Sequence, residues 1–235
     1  MPGVPVNESG RPANRERLSF RARPSLGESG GQHRPFGVGT GRDGILYVPD
    51  TAERRAPMMV FLHGAGGSGQ RELRLILAAA DRYGVVVAAP DSRGTSWDVM
   101  SGAMGPDVAF IDQVLDAVAD GCDVDTAMAS VGGVSDGASY ALCVGLANGD
   151  VFDSVIAFSP GFAGAAELVG RPRLFVSHGT ADPILPIDTC SRRLVPALRD
   201  LGYDVTYQEF DGGHTVPPEI ADEAVRWWLS PGGQA

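Results

Sequence analysis

The stretch Gly133-Val134-Ser135-Asp136-Gly137 has the residue types and spacing of a nucleophile turn. A serine on a sharp turn between strand and helix presents its hydroxyl outward, and glycines two positions before and after let the two elements approach without side-chain clash. The pattern alone is weak in a chain with 32 glycines among 235 residues. Its setting gives it weight: a strand-like run over 126–131 precedes it, and a helix of small residues opening at Ala138 follows.

A serine hydroxyl at its free pKa is a poor nucleophile and needs a base. The chain has four histidines. His33 lies in a glycine-rich N-terminal region, and His63 and His178 each precede a glycine in a tight loop, the setting of a structural hydrogen bonder. His214, in Asp211-Gly212-Gly213-His214-Thr215, sits between the last strand and the last helix and is the expected general base. The base in turn needs a carboxylate to fix its tautomer and stabilise the imidazolium. With the order serine, acid, histidine, that carboxylate falls between 135 and 214. Asp182 follows a buried strand by a short loop and is preferred; Asp211 is the rival, with a second reading as a turn former.

A tetrahedral intermediate also needs preorganised backbone donors for its oxyanion. The residue after the serine, Asp136, supplies one. The loop His63-Gly64-Ala65-Gly66-Gly67 supplies the other, from Ala65 or alternatively Gly66. That loop does not fit phosphate binding, because no Gly-Lys-Ser/Thr closes it.

These residues are useful together only if each follows a strand, since open α/β sheets bind ligands at the carboxyl ends of their strands. Alternation predicts an edge strand over 18–23, and apolar or strand-like runs predict strands over 44–49, 58–62, 85–90, 126–131, 154–158, 173–177 and 204–210. Helical spacing predicts helices over 70–82 and 107–120, one after the serine turn, one capped by Asp188, and one opened by Pro218. The alternation predicts an α/β fold: one mostly parallel sheet of about eight strands with helices on both faces. Residues 1–17 read as a disordered or loosely attached arm, 18–230 as the catalytic domain and 231–235 as a tail.

A net charge of −10 argues against nucleic acid or an anionic membrane surface as partner. The first 17 residues lack the apolar core of a signal peptide, and no apolar run approaches a membrane span of about 18 residues. A cytoplasmic location is therefore expected. Cys122, Cys143 and Cys190 are too few and scattered for a disulfide framework or a zinc site.

Taken together, Leu62-His63-Gly64-Ala65-Gly66-Gly67, the Ser135 turn, His178-Gly179-Thr180-Ala181-Asp182-Pro183-Ile184-Leu185-Pro186 and Phe210-Asp211-Gly212-Gly213-His214 resemble the phospholipase/carboxylesterase branch of the α/β-hydrolase superfamily. The feruloyl esterase and polyhydroxybutyrate depolymerase group stands nearby. Dienelactone hydrolases, also similar, typically use cysteine where this chain has Ser135. The resemblance covers about residues 44 to 230. It implies the α/β-hydrolase fold, a small-molecule ester substrate, and a Ser135, Asp182, His214 triad that requires no metal or organic cofactor. Ala65-Gly66-Gly67 departs from the branch's usual hydrophobic residue after His-Gly, which leaves the subfamily open.

The segment 159–172 is too short for a lid domain, so an uncovered site for short or soluble carboxylic esters is expected. Trp97, Phe162, Ile184 and Leu185 are the expected substrate-binding residues, with scaffold packing as the other reading of Trp97. The expected activity is that of a serine carboxylesterase. Feruloyl esterase, thioesterase or lysophospholipase, and acyltransferase reactions use the same triad, and a non-catalytic small-molecule-binding domain is a further alternative.

Overall fold

Apolar runs too continuous for a half-exposed strand become the interior of one sheet. The computed structural model describes residues 16–24, 32–38, 41–102 and 104–230. Most of the arm expected over 1–17, and the tail at 231–235, lie outside the described residues. In chain order come strands β1 (Gln32–Arg34), β2 (Gly44–Val48) and β3 (Ala56–Leu62), helices α1 (Gly69–Glu72) and α2 (Leu77–Tyr83), strand β4 (Val86–Pro90) and helix α3 (Pro106–Gly121). Strand β5 (Val124–Val134), helix α4 (Asp136–Ala147), strands β6 (Ser154–Phe158) and β7 (Arg173–Gly179), helix α5 (Ser191–Asp200), strand β8 (Val205–Phe210) and helix α6 (Pro218–Leu229) complete it.

The eight strands lie in the order β1-β2-β4-β3-β5-β6-β7-β8. β2 pairs antiparallel with both of its neighbours, β1 and β4; every other pairing in the sheet is parallel. Alternate residues of β3 serve opposite faces. Met58, Val60 and Leu62 pack with Ile111 and Val114 of α3, Leu142 of α4 and Leu198 of α5 in one cluster. Met59 and Phe61 pack with Ala80 of α2 and with Val225 and Trp228 of α6 in the other. Each such fully buried side chain contributes about 1.5–3 kcal/mol, so two clusters clamp the sheet between helical layers.

Three expectations change. Residues 18–23 form no strand, and β1 takes the edge instead. Leu18 and Phe20 are buried as their alternation suggested, but side chains take the backbone donors that a ladder would use. Leu18 N donates to Asn148 Oδ1 (2.8 Å), Phe20 N to Asp112 Oδ1 (2.7 Å) and Arg23 N to Thr126 Oγ1 (2.8 Å). The helix expected over 70–82 divides into α1, a 3-10 turn at Leu73–Leu75 and α2, because Ile76 at φ −113° leaves helical geometry. Finally, β5 runs on through Gly132 and Gly133 to Val134. A Cβ on Gly132 would sit 3.0 Å from Ile156 O, so the missing side chain lets β6 close against β5.

The segment 159–172 joins β6 to β7 without a helix or strand, and so without a lid. Among the described residues, no helix is long and apolar enough to cross a membrane, and Cys122, Cys143 and Cys190 are free and buried.

Candidate active site

Ser135 stands between β5 and α4 at φ 59°, ψ −122°, a conformation that costs a non-glycine residue about 1–3 kcal/mol. Surrounding contacts enforce it. Ser135 N donates to Phe158 O (2.9 Å), and its carbonyl accepts Ser139 N (3.0 Å). A Cβ on Gly137 would overlap Leu62 O, and one on Gly133 would lie 2.6 Å from the Gly137 carbonyl carbon. The two glycines of the motif are therefore required by close approach of α4 to β3 and β5.

The loop after β7 delivers a buried carboxylate. Asp182 Oδ1 accepts the amides of Ile184 and Leu185, both at 2.9 Å, and Oδ2 accepts His214 Nδ1 at 2.6 Å. Burial pushes this carboxyl up, but the Leu185 amide, the His214 imidazole and the Ile184 amide outweigh it and hold it below the usual carboxylate range. Asp211, the rival acid, is exposed and makes no bond to His214. His214 comes from the loop between β8 and α6, with its side chain 19% exposed. It shares a cleft of about 390 Å³ with Ser135, Ala65, Arg71, Ile184 and Val216. No hydrogen bond joins the Ser135 hydroxyl to His214 in this structure; bonds of this kind often tighten only around substrate.

The two buried histidines, His178 and His63, are brackets. His178 donates from Nε2 to Leu185 O (2.8 Å) and accepts Ser191 Oγ at Nδ1 (2.7 Å). Its Nε2 also lies 3.3 Å from Asp182 Oδ2. His63 accepts Ser92 N at Nε2 (2.9 Å), which leaves Nδ1 to donate to Gly64 O (2.7 Å). Burial lowers both pKa values, so both rings are held neutral.

On the loop after β3, Gly66 N is already committed to Thr95 O (2.9 Å). Among the described residues, the amides of Ala65 and Asp136 carry no such partner. Of the two alternatives in this loop, Ala65 is thus the one with a donor to offer.

No protein-family model matches the chain. Feruloyl esterase C of Emericella nidulans is 27% identical over 158 residues, a match that covers 63% of this chain and 57% of that protein's length. Among solved structures, esterase PE8 superposes with a TM-score of 0.62 at 22% identity, over 85% of this chain and 97% of that one. Fluorophosphonate-binding serine hydrolase F of Staphylococcus aureus superposes with a TM-score of 0.68 at 13% identity, over 86% of this chain and all of that one. The chain has the α/β-hydrolase fold.

Within this fold the expected substrate-binding residues separate. Ile184, 66% exposed, lines the cleft. Phe162 is exposed away from its walls, and Leu185 serves Asp182 and His178 through its backbone. Trp97 is corrected outright: it is 1% exposed, its Nε1 donates to His63 O (2.8 Å), and its ring lies between those of His63 and Tyr140. It packs beneath the site as scaffold. Sequence reasoning passed over Arg71, Glu72 and Leu75, which line the cleft from the turns after the glycine loop, and Val216, two residues past His214. Their nearness in sequence to loop and base was the available signal.

A larger cavity of about 520 Å³ lies at the opposite ends of the parallel strands. It holds no histidine, and its arginines pair with acids: Arg23 with Asp120 (2.8 Å) and Arg55 with Asp125 (3.0 Å).

Proposed function

We propose that this chain is a serine hydrolase of carboxylic esters, with residues 18–230 as its catalytic unit. The observation that carries the reading is the 2.6 Å bond between His214 Nδ1 and Asp182, placed on the same cleft as a strained Ser135. Ser135 Oγ attacks the ester carbonyl while His214 Nε2 takes its proton, and Asp182 holds the imidazole in the Nδ1–H tautomer. The amides of Ala65 and Asp136 meet the oxyanion. Collapse of the intermediate expels the alcohol, which receives the proton from His214. Water activated by the same ring then releases the acid from the acyl-enzyme.

The uncovered cleft of about 390 Å³ favours short-chain or soluble esters. An aromatic ester of the feruloyl type is the second reading, favoured by the similarity to feruloyl esterase C.

Replacing Ser135 by Ala tests the chemistry. Turnover of p-nitrophenyl acetate and of methyl ferulate, and labelling by a fluorophosphonate, should all be lost, on the order of a 10⁶-fold fall in kcat. A variant that keeps its wild-type rate on the better ester overturns the reading.

A further inference from the structure

The two amides assigned to the oxyanion belong to different elements: Ala65 to the loop after β3, Asp136 to the first turn of α4. Their separation must match a transition state, and a misplacement of about 1 Å can cost about 10²-fold in rate. Three consecutive residues on a third segment grip both elements. Thr95 O accepts Gly66 N (2.9 Å), Ser96 Oγ donates to Asp136 Oδ2 (2.6 Å), and Trp97 Nε1 donates to His63 O (2.8 Å). Ser92 N adds a bond to His63 Nε2 (2.9 Å), and Arg42 ties Ser92 O (2.9 Å) to Gly67 O (3.0 Å).

This segment is itself held from behind. Asp98 and Asp107 each accept the other's amide: Asp107 N reaches Asp98 Oδ2 (2.9 Å), and Asp98 N reaches Asp107 Oδ2 (2.7 Å). Asp107 Oδ1 also takes Arg93 N (2.6 Å). Asp98 Oδ1 accepts Tyr140 OH (2.8 Å), and Tyr140 stacks on Trp97 with centroids 5.0 Å apart. A segment so braced can transmit position from one wall of the site to the other.

We propose that segment 92–97 is a splint that sets the spacing of the two oxyanion donors, with Ser96 and Trp97 as positioning residues. The inference rests on the ester hydrolase reading above. Ser96 touches no reacting atom in it; it acts by fixing the turn that carries the Asp136 amide.

The test compares wild type with Ser96→Ala, Ser96→Thr and Trp97→Phe, using a soluble p-nitrophenyl ester and a trifluoromethyl ketone whose adduct with Ser135 carries an oxyanion. Ser96→Ala should lower kcat about 10- to 100-fold with KM unchanged. Its affinity for the ketone should fall by the same factor as kcat/KM, since only the adduct uses the hole. Ser96→Thr, which keeps the hydroxyl, should restore both. Trp97→Phe keeps a stacking ring, loses the bond to His63 O, and should shift both quantities in the same direction. A Ser96→Ala protein that turns over ester and binds ketone like wild type overturns the inference alone. A wild-type chain that neither hydrolyses ester nor binds ketone overturns the function proposed above and the inference with it.

Discussion

The two flanks of Ser135 use the same residue type in opposite ways. On the flank proposed for the oxyanion, His63 is fully buried with both ring nitrogens bonded, one to the Ser92 amide and one to Gly64 O. On the flank proposed for acid-base chemistry, His214 is partly exposed, with Nδ1 on Asp182 and no protein partner for Nε2 among the described residues. His178 makes the contrast sharper, because it approaches the same Asp182 oxygen yet has both nitrogens committed and no face on the cleft. An imidazole that must hold a loop is saturated and desolvated. One that must carry a proton keeps a nitrogen free in a cleft open to substrate.

The comparison breaks most visibly at Asp182. Asp182→Asn should lower kcat about 10⁴-fold, the scale of losing tautomer control in a serine triad. Asp211→Asn should leave kcat near wild type. If the two variants exchange behaviour, the acid-base flank has been assigned to the wrong loop.

A second consequence concerns pH. His63 and His178 have folded pKa values below that of the unfolded chain, about 6.5. Below that pH the unfolded state takes up protons that the folded state refuses, so stability falls as pH drops from about 7 to 5. Asp182 acts lower: its depressed pKa adds stability above about 4 that is lost as pH falls through the folded value. Asp107 and Asp153, pushed up by burial, act in the opposite sense. The histidine effect is therefore read as a difference between proteins. The fall in Tm between pH 7 and 5 should be smaller in His178→Gln than in wild type, and equal falls would mean that the bracketing ring is not held neutral.

The smallest expected effect belongs to the lip of the cleft. Ile184→Ala removes an exposed side chain, so stability should change by no more than about 0.5 kcal/mol. KM for a bulky aromatic ester should rise by about 10-fold or less, the worth of a few methylenes in an apolar contact, while acetyl esters are little affected. An unchanged KM for both would remove Ile184 from the substrate wall.

Much of the fold could be read from local patterns. Strands β3, β4, β6 and β7 fall where apolar runs place them, and the elbow turn falls where two glycines flank a serine, because burial on both faces and close approach of backbones leave direct marks on residue type. Segment 18–23 shows the limit. Its apolar alternation marked the right residues as buried, yet a ladder also needs free amides, and these bond to Asn148, Asp112 and Thr126 instead.

The site divides along the same line. Residue types, spacing and chain order sufficed to nominate Ser135, Asp182 and His214, since a nucleophile, an acid and a base are each tied to a strand end that hydrophobic periodicity reveals. Folding settled which neighbours were already spent: Gly66 by Thr95 and Trp97 by its place between His63 and Tyr140. It also settled that Ser96 reaches Asp136, 40 residues on. Whether an amide or an indole is free depends on the acceptor that lies opposite it in space, and nothing in the residue or its sequence neighbours specifies that acceptor.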